Sequence, residues 1–280
     1  MSDIDRRAFL ASAAASWLGA APGQALAQAA AEAVVPAPPP ELVRFSGQSV
    51  LALARELAKK PFAAPAADLP APFDSLNYEQ YVGIRARAGA AIWSDANLPF
   101  QIEPLHRGGG AFATPMQLFL VEDGAARPLF YDQSAFDFGK LSVPAKLPDL
   151  GFSGFRVLRS QLDQPPTEVA IFQGQASYRA AARGQSSGAV ARALAIRTAD
   201  PKGEEIPVFR ACWIEKPGAA SDSLILHALL DSQSVVGAYR IVLRYGDVTV
   251  TDVEATLIPR VALDHVGYAP MQATSLFSPL

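Results

Sequence analysis

Apolar positions recur every third or fourth residue near the start of the chain and every second residue through most of its remaining length. In "FSGQSVLALARELAKKPF", Val50, Leu53, Ala54 and Leu57 fall on one helical face, Ser46 or Ser49 can cap the start, and Pro61 stops the pattern. A second short helix is expected in "SLNYEQYVGIR", capped by Asn77 or Ser75. From about residue 90 strands take over. "PMQLFLVEDGAARPLFYD" alternates over Met116, Leu118 and Leu120, turns at Asp123-Gly124 and resumes at Leu129. "TEVAIFQG", "AVARALAIRT", "PVFRACWIEKP" and "DSLILHALLDS" are further short runs bounded by Gly, Pro, Asp or Ser. The clearest hairpin is "AYRIVLRYGDVTVTDVEATLIPR", with Tyr239, Ile241, Leu243 and Tyr245 on one face and a two-residue turn at Gly246-Asp247. On the return strand Val248 and Val250 share a face, but the apolar phase then slips to Val253, Ala255 and Leu257, which predicts a bulge near Asp252. Many short strands, little helix and no fixed-period repeat predict an all-β chain: a β-sandwich with one or two short N-terminal helices.

Composition first changes this picture at the N-terminus. Arg6 and Arg7 precede an apolar run that Gly19 interrupts and that is too weak to anchor as a membrane span. Ala25-Leu26-Ala27 is a small-x-small cleavage site, so residues 1–27 are expected to be an export signal cut after Ala27. Paired arginines followed by Phe9 and Leu10 resemble a twin-arginine signal, which exports folded proteins, and the expected compartment is a bacterial periplasm. Residues 28–44, mostly alanine and proline, read as a linker, and residues 45–280 as the folded domain. No other stretch has the length and apolarity of a membrane span. Cys212 is the sole cysteine, which rules out an internal disulfide or a Cys-based zinc site; it reads as a small buried apolar residue. A formal charge of −3 without a basic stripe argues against nucleic acid and suits a neutral partner such as a sugar polymer.

Candidate chemistry is sparse. There is no Walker loop, no Gly-x-Ser-x-Gly elbow and no dinucleotide fingerprint, so no cofactor is expected. "HRGGGAF" lacks the Lys of a phosphate loop and reads as a wide turn. His106, His227 and His265 show no metal-ligand spacing, no metal site is expected, and His227 reads as a satisfied core histidine. Asp149, Glu204, Glu205, Asp231 and Asp252 are available as carboxylates, each with an ordinary reading. Asp149 suits a turn, Glu204 and Glu205 a solvated loop tip, and Asp231 a strand end that accepts backbone hydrogen bonds. Sugars combine apolar C–H faces with hydroxyl edges, so aromatic platforms beside arginines are the pattern to seek. Trp93, Phe152, Phe155, Tyr178, Trp213 and Tyr239 could supply platforms, with Arg156, Arg179 and Arg240 close behind an aromatic; core packing explains any single one as well.

The strings "YEQYVGIRARAGAAIW", "LPFQIEPLHRGG", "DLGFSGFR", "ARALAIRTADPKGEEIPVFRACWIEKP", "ALLDSQSVVGAYRIVLR" and "VGYAPMQATSLF" resemble, in order from Phe45 to Phe277, the osmoregulated periplasmic glucan biosynthesis proteins G and D. The leader is closer to the D type. The resemblance implies a large β-sandwich of the mutarotase-like sugar-binding type, followed in the family by a smaller immunoglobulin-like domain. It also implies action on the β-1,2-linked glucan backbone by hydrolysis or remodelling, and transient contact with membrane glucan synthesis machinery. Two departures stand out. "GQASYRA" keeps Arg179 but has Ser177 and Tyr178 where the family has Tyr and Phe. The chain ends at Leu280, before the family's later acidic segment, so no catalytic residue is carried over. The expected glucan contacts are Trp93, Arg156, Arg179 and Tyr239. The alternatives are a non-catalytic glucan-binding or accessory protein, or a truncated inactive product.

Overall fold

The computed structural model describes residues 43–161, 164–185 and 190–271. The expected export signal, its cleavage after Ala27 and nearly all of the linker lie outside them. Apolar alternation builds two large sheets. In chain order the strands are β1 (Val43–Arg44), β2 (Arg85–Ala86), β3 (Phe100–His106), β4 (Gln117–Glu122), β5 (Ala125–Pro128), β6 (Phe136–Asp137), β7 (Phe152–Gln161) and β8 (Gln164–Gln173). They continue with β9 (Ser177–Ala180), β10 (Val190–Arg192), β11 (Leu194–Ile196), β12 (Val208–Glu215), β13 (Ser223–Asp231), β14 (Val235–Arg244), β15 (Val250–Pro259) and β16 (Val266–Tyr268). One sheet has the order β1-β5-β4-β12-β13-β14-β15, the other β10-β9-β8-β7-β3, and two short strand pairs, β11 with β16 and β2 with β6, sit beside them. All pairs in these two sheets are antiparallel except β12 with β4. The run read as one strand in "AVARALAIRT" is two: β10 joins the five-stranded sheet, while β11 pairs with β16.

The core lies between the sheets. Phe155 and Phe172 from the five-stranded sheet meet Phe209, Leu230 and Ile241 from the seven-stranded one in a single buried cluster. The rings of Phe155, Phe172 and Tyr178 stack across β7, β8 and β9 at centroid distances of 5.2 Å and 5.2 Å. Outside the seven-stranded sheet sits helix α1 (Gly47–Ala58), with Ser46 at its N-cap. It buries Val50 and Ala54 against Val121, Trp213, Leu229 and Val236. That is why β13 and β14 read as near-continuous apolar runs: each is covered on both faces. Helix α2 (Tyr78–Gly83) starts as expected at Asn77, whose side chain accepts from the Gln80 backbone at 2.9 Å.

Two features of the predicted hairpin are corrected. The β14–β15 register runs without a shift from Val235 opposite Pro259 to Arg244 opposite Val250, so there is no bulge at Asp252. The connection covers residues 245–249 rather than the two residues Gly246 and Asp247. The apolar phase changes because β15 is the sheet edge, with water on both faces. Val250 and Val253, on opposite faces, are 44% and 38% exposed. Irregular register occurs instead between β3 and β7, between β7 and β8 and between β12 and β13.

Gly154 in β7 is where the sheet tolerates no side chain. A Cβ there would stand 2.0 Å from the Phe172 carbonyl oxygen, on a backbone with φ of 157°. Gly154→Ala is expected to destabilise the fold by about 3 kcal/mol or more, read as a drop in the urea midpoint. A loss under about 1 kcal/mol would show that β7 and β8 can part at no great cost.

Candidate functional site

The face of the five-stranded sheet turned away from the core carries charges. Glu103 on β3 lies opposite Arg156 on β7, which lies opposite Ile171 on β8, then Arg179 on β9 and Val190 on β10. Glu168 reaches this row from the next position of β8. Arg156 Nη1 donates to Glu103 Oε1 at 2.6 Å, and Arg179 Nη2 donates to Glu168 Oε1 at 2.7 Å. Arg156 Nε lies 3.1 Å from Glu168 Oε2 but is poorly aligned, and this buried N–H has no hydrogen-bond partner among the described residues. The four side chains alternate in sign and are 17–36% exposed. A guanidinium held between two carboxylates is oriented before any ligand arrives and keeps its outer N–H groups for it.

Tyr81, from α2, closes one side of this surface. Its ring stacks on Phe112 at 3.9 Å and 9°. Its hydroxyl donates to the His106 carbonyl at 3.2 Å, stands 3.2 Å from Ser153 Oγ, and accepts from Gln173 Nε2 at 3.4 Å. Burial raises the Tyr81 pKa, and the hydrogen bond with Ser153 and the charge of Arg156 oppose that rise. Gly108 makes the packing possible, since a Cβ there would come within 2.5 Å of the Tyr81 ring.

Of the four expected glucan contacts, the structure brings two together, Arg156 and Arg179. The other two lie elsewhere, Tyr239 on β14 of the seven-stranded sheet and Trp93 in the loop before β3. Tyr239 is 3% exposed; its ring meets Phe209 edge-on and its hydroxyl donates to the Ala193 carbonyl at 3.2 Å. Trp93 is half-buried, with a left-handed backbone (φ 66°), and its indole N–H donates to Glu122 Oε1 at the end of β4 at 3.1 Å. Burial works to raise the Glu122 pKa, but that hydrogen bond and the charges of Lys216 and Arg127 hold it below the usual range. Phe152, Phe155 and Trp213 are core residues, and Tyr178 continues the ring stack over Phe172.

The carboxylates are each committed. Asp149 accepts from the Gly151 backbone at 2.8 Å, as a turn residue should. Asp252 pairs with Arg244 on the exposed edge strand. Two expectations change. Glu205 is buried rather than solvated, because the β13–β14 turn folds over it: Ser234 N and Oγ donate to it at 2.9 Å and 2.8 Å. Asp231 is held by arginine side chains rather than turn backbone, Arg210 at 2.7 Å and Arg260 at 2.8 Å. His227 is buried as expected, its Nε2 2.7 Å from Glu215. Cys212 is buried too, and burial pushes its thiol pKa far up, leaving it an inert core group.

Tyr81, Glu103, Glu168 and Gln173 were missed in the sequence. The available signal was a glutamate, then a glutamine, facing outward in the apolar run "TEVAIFQG". A larger recess of 420 Å³ lies across the molecule, over the start of α1, lined by Phe45, Asp123, Glu215 and Lys216 among others. None of the four expected contact residues lines it.

Residues 45–279 match the family described as "Periplasmic glucan biosynthesis protein, MdoG". Among similar proteins, glucans biosynthesis protein G of Rhodopseudomonas palustris (strain ATCC BAA-98 / CGA009) is 44% identical over 239 residues, covering 85% of this chain and 47% of that protein. The protein of the same name from Shewanella sp. (strain MR-4) is 46% identical over 237 residues, 83% of this chain and 43% of the other. That of Bradyrhizobium diazoefficiens is 43% identical over 237 residues, 84% and 47%. The chain thus spans less than half the length of these curated relatives. With nearly all of its described fold inside the matched residues, the chain belongs to the periplasmic glucan biosynthesis protein MdoG family.

Proposed function

We propose that this chain binds the β-1,2-linked backbone of a periplasmic glucan, on the outward face of its five-stranded sheet. The observation that carries the reading is the alternating row Glu103, Arg156, Glu168 and Arg179 beside Tyr81. Four inter-strand spacings of about 4.8 Å make a surface roughly 19 Å wide, of the kind an extended sugar chain can lie across. Its charges cancel in pairs, so it favours hydroxyl groups over a net anion. Guanidinium N–H groups donate to sugar oxygens and carboxylates accept from sugar hydroxyls. The family match supports the glucan, and the name of the relatives supports a role in its biosynthesis.

Binding rather than cutting is the role these residues suit. Glycoside hydrolysis uses two carboxyl groups held roughly 5–10 Å apart across the scissile bond, whereas Glu103 and Glu168 are each tied to an arginine. Remodelling of the glucan would draw on the further length that the relatives have. In this reading residues 1–27 are a twin-arginine leader, residues 28–44 a linker, and the folded part works in the periplasm beside the membrane glucan synthesis machinery. Among the described residues, no helix is long and apolar enough to cross a membrane.

Calorimetric titration with linear β-1,2-glucan tests this. Arg156→Ala and Arg179→Ala are each expected to weaken binding by about tenfold or more, the second with the melting temperature little changed because Arg179 is the less enclosed of the two. Unaltered affinity in both variants sinks the reading.

A further inference from the structure

The polar surface does not end at β10. A second row, Gly154, Gln173, Ser177 and Arg192, crosses β7 to β10 beside the first. Arg192 Nη1 donates to Glu204 Oε1 at 2.6 Å, which carries the row off the sheet into the loop that follows β11. There it reaches a recess of 270 Å³ lined by Phe62, Arg197, Lys202, Glu204, Glu205 and Gln233.

Two features mark this recess as a built site. Arg197 and Ala199 hold left-handed backbones, with φ of 55° and 61°. Strained non-glycine conformations of this kind cluster at ligand clamps. The floor is fixed, because the Glu205 side chain, 5% exposed, is pinned by Ser234 on the β13–β14 turn.

The chemistry of the lining selects the ligand. Burial works to raise the pKa of Glu204 and of Glu205. For Glu204 the hydrogen bonds from Arg192 and Thr198 outweigh it; for Glu205 those from Ser232 and Ser234 do, so both stay ionised. Arg197 and Lys202 balance the two carboxylates. A group that must both donate and accept, at no net charge, is a hydroxyl. Phe62 adds an apolar face. At 270 Å³ the recess lies just below the 300 Å³ or so where pockets for drug-sized ligands begin, so it suits a sugar unit or two and not a long segment.

A surface that runs along a polymer and then drops into a small recess reads the polymer by its end. We infer that this recess takes the terminal glucose unit of a linear glucan, making the chain an end-reader. The inference rests on the glucan-binding reading above. It is tested by titrating the full chain with linear and with cyclic β-1,2-glucan, the cyclic form having no end. The linear form is expected to bind about tenfold tighter. In Lys202→Ala/Gln233→Ala, two exposed positions of the wall, that preference is expected to vanish while binding of the cyclic form is unchanged. Equal affinity for the two glucans in the native chain, still weakened by Arg156→Ala, overturns end-reading and leaves the sheet surface intact as the binding site. A preference that survives the double substitution also overturns it, because the end is then read elsewhere. Failure to bind either glucan overturns the glucan-binding reading itself, and end-reading with it.

Discussion

Acidification from pH 7 to pH 4 is expected to cost this fold about 3 kcal/mol through one residue, His106. The side chain is 3% exposed, with Phe73, Phe136 and Phe138 around it. Its Nδ1 donates to the Arg107 carbonyl at 2.6 Å, so in the neutral ring Nε2 accepts from the Tyr131 hydroxyl at 2.9 Å. Burial lowers its pKa from 6.5 to about 4; the backbone hydrogen bond opposes this and the Arg107 charge adds to it. The unfolded chain therefore takes up a proton near pH 6.5, while the folded chain refuses it until about pH 4. Stability is full above pH 6.5, falls across the window between the two values, and loses nothing further from this group below it. Urea midpoints measured from pH 7 to pH 4 should show that slope, and His106→Gln should start less stable at pH 7 but flatten it. A native profile that stays flat down to pH 4.5 would rule out the buried neutral histidine. Glu122, Glu204 and Glu205, held below their usual range, add losses of their own from about pH 4.5 downward, at the acid end of the same titration.

Replacing Asp231 with Asn is expected to destabilise the protein by about 3–5 kcal/mol, because it leaves two arginines buried or half-buried without their counter-charge. Asp231 is 0% exposed and accepts from Arg210 at 2.7 Å and from Arg260 at 2.8 Å. These arginines bind more than the carboxylate. Arg260 also donates to the carbonyls of Leu57 and Lys60, at 3.0 Å and 2.8 Å, and Arg210 to that of Ala63, with Phe62 under its guanidinium. The loss should therefore be visible locally as well as globally. Hydrogen exchange in α1 should accelerate together with that of β13, and protease should cut in residues 57–63 of the variant before it cuts the native chain. A loss below about 1 kcal/mol would mean that water reaches the pair.

The alternation of apolar positions was enough for the sandwich, because a half-buried strand must alternate, and α1 and the Asn77 cap were legible for the same local reason. What escaped was set by tertiary context. Strand β7, which carries Arg156, is interrupted in sequence by Gly154 and mixes its burial through three register shifts, one with β3 and two with β8, so it shows no clean period. The slip around Asp252 looked like a bulge because sequence cannot tell an edge strand, wet on both faces, from an interior one. Arg156 and Arg179 could be picked from their aromatic neighbours, but those neighbours point into the core. The partner that joins the two arginines, Glu168, stands on another strand and follows from register alone. Tyr239 was misleading because an aromatic before an arginine looks the same whether the ring faces solvent or the core.

The grip of Arg260 on Leu57 spans 203 positions of sequence. During synthesis, helix α1 emerges among the first of the described residues, yet the side chain that ties down its last turn is made almost at the end of the described fold. Until then the helix has only its apolar stripe to hold it, and the strands it must cover are themselves unfinished. Contacts this distant are slow to form. Full docking of α1 therefore waits until Arg260, the residue after β15, has been made.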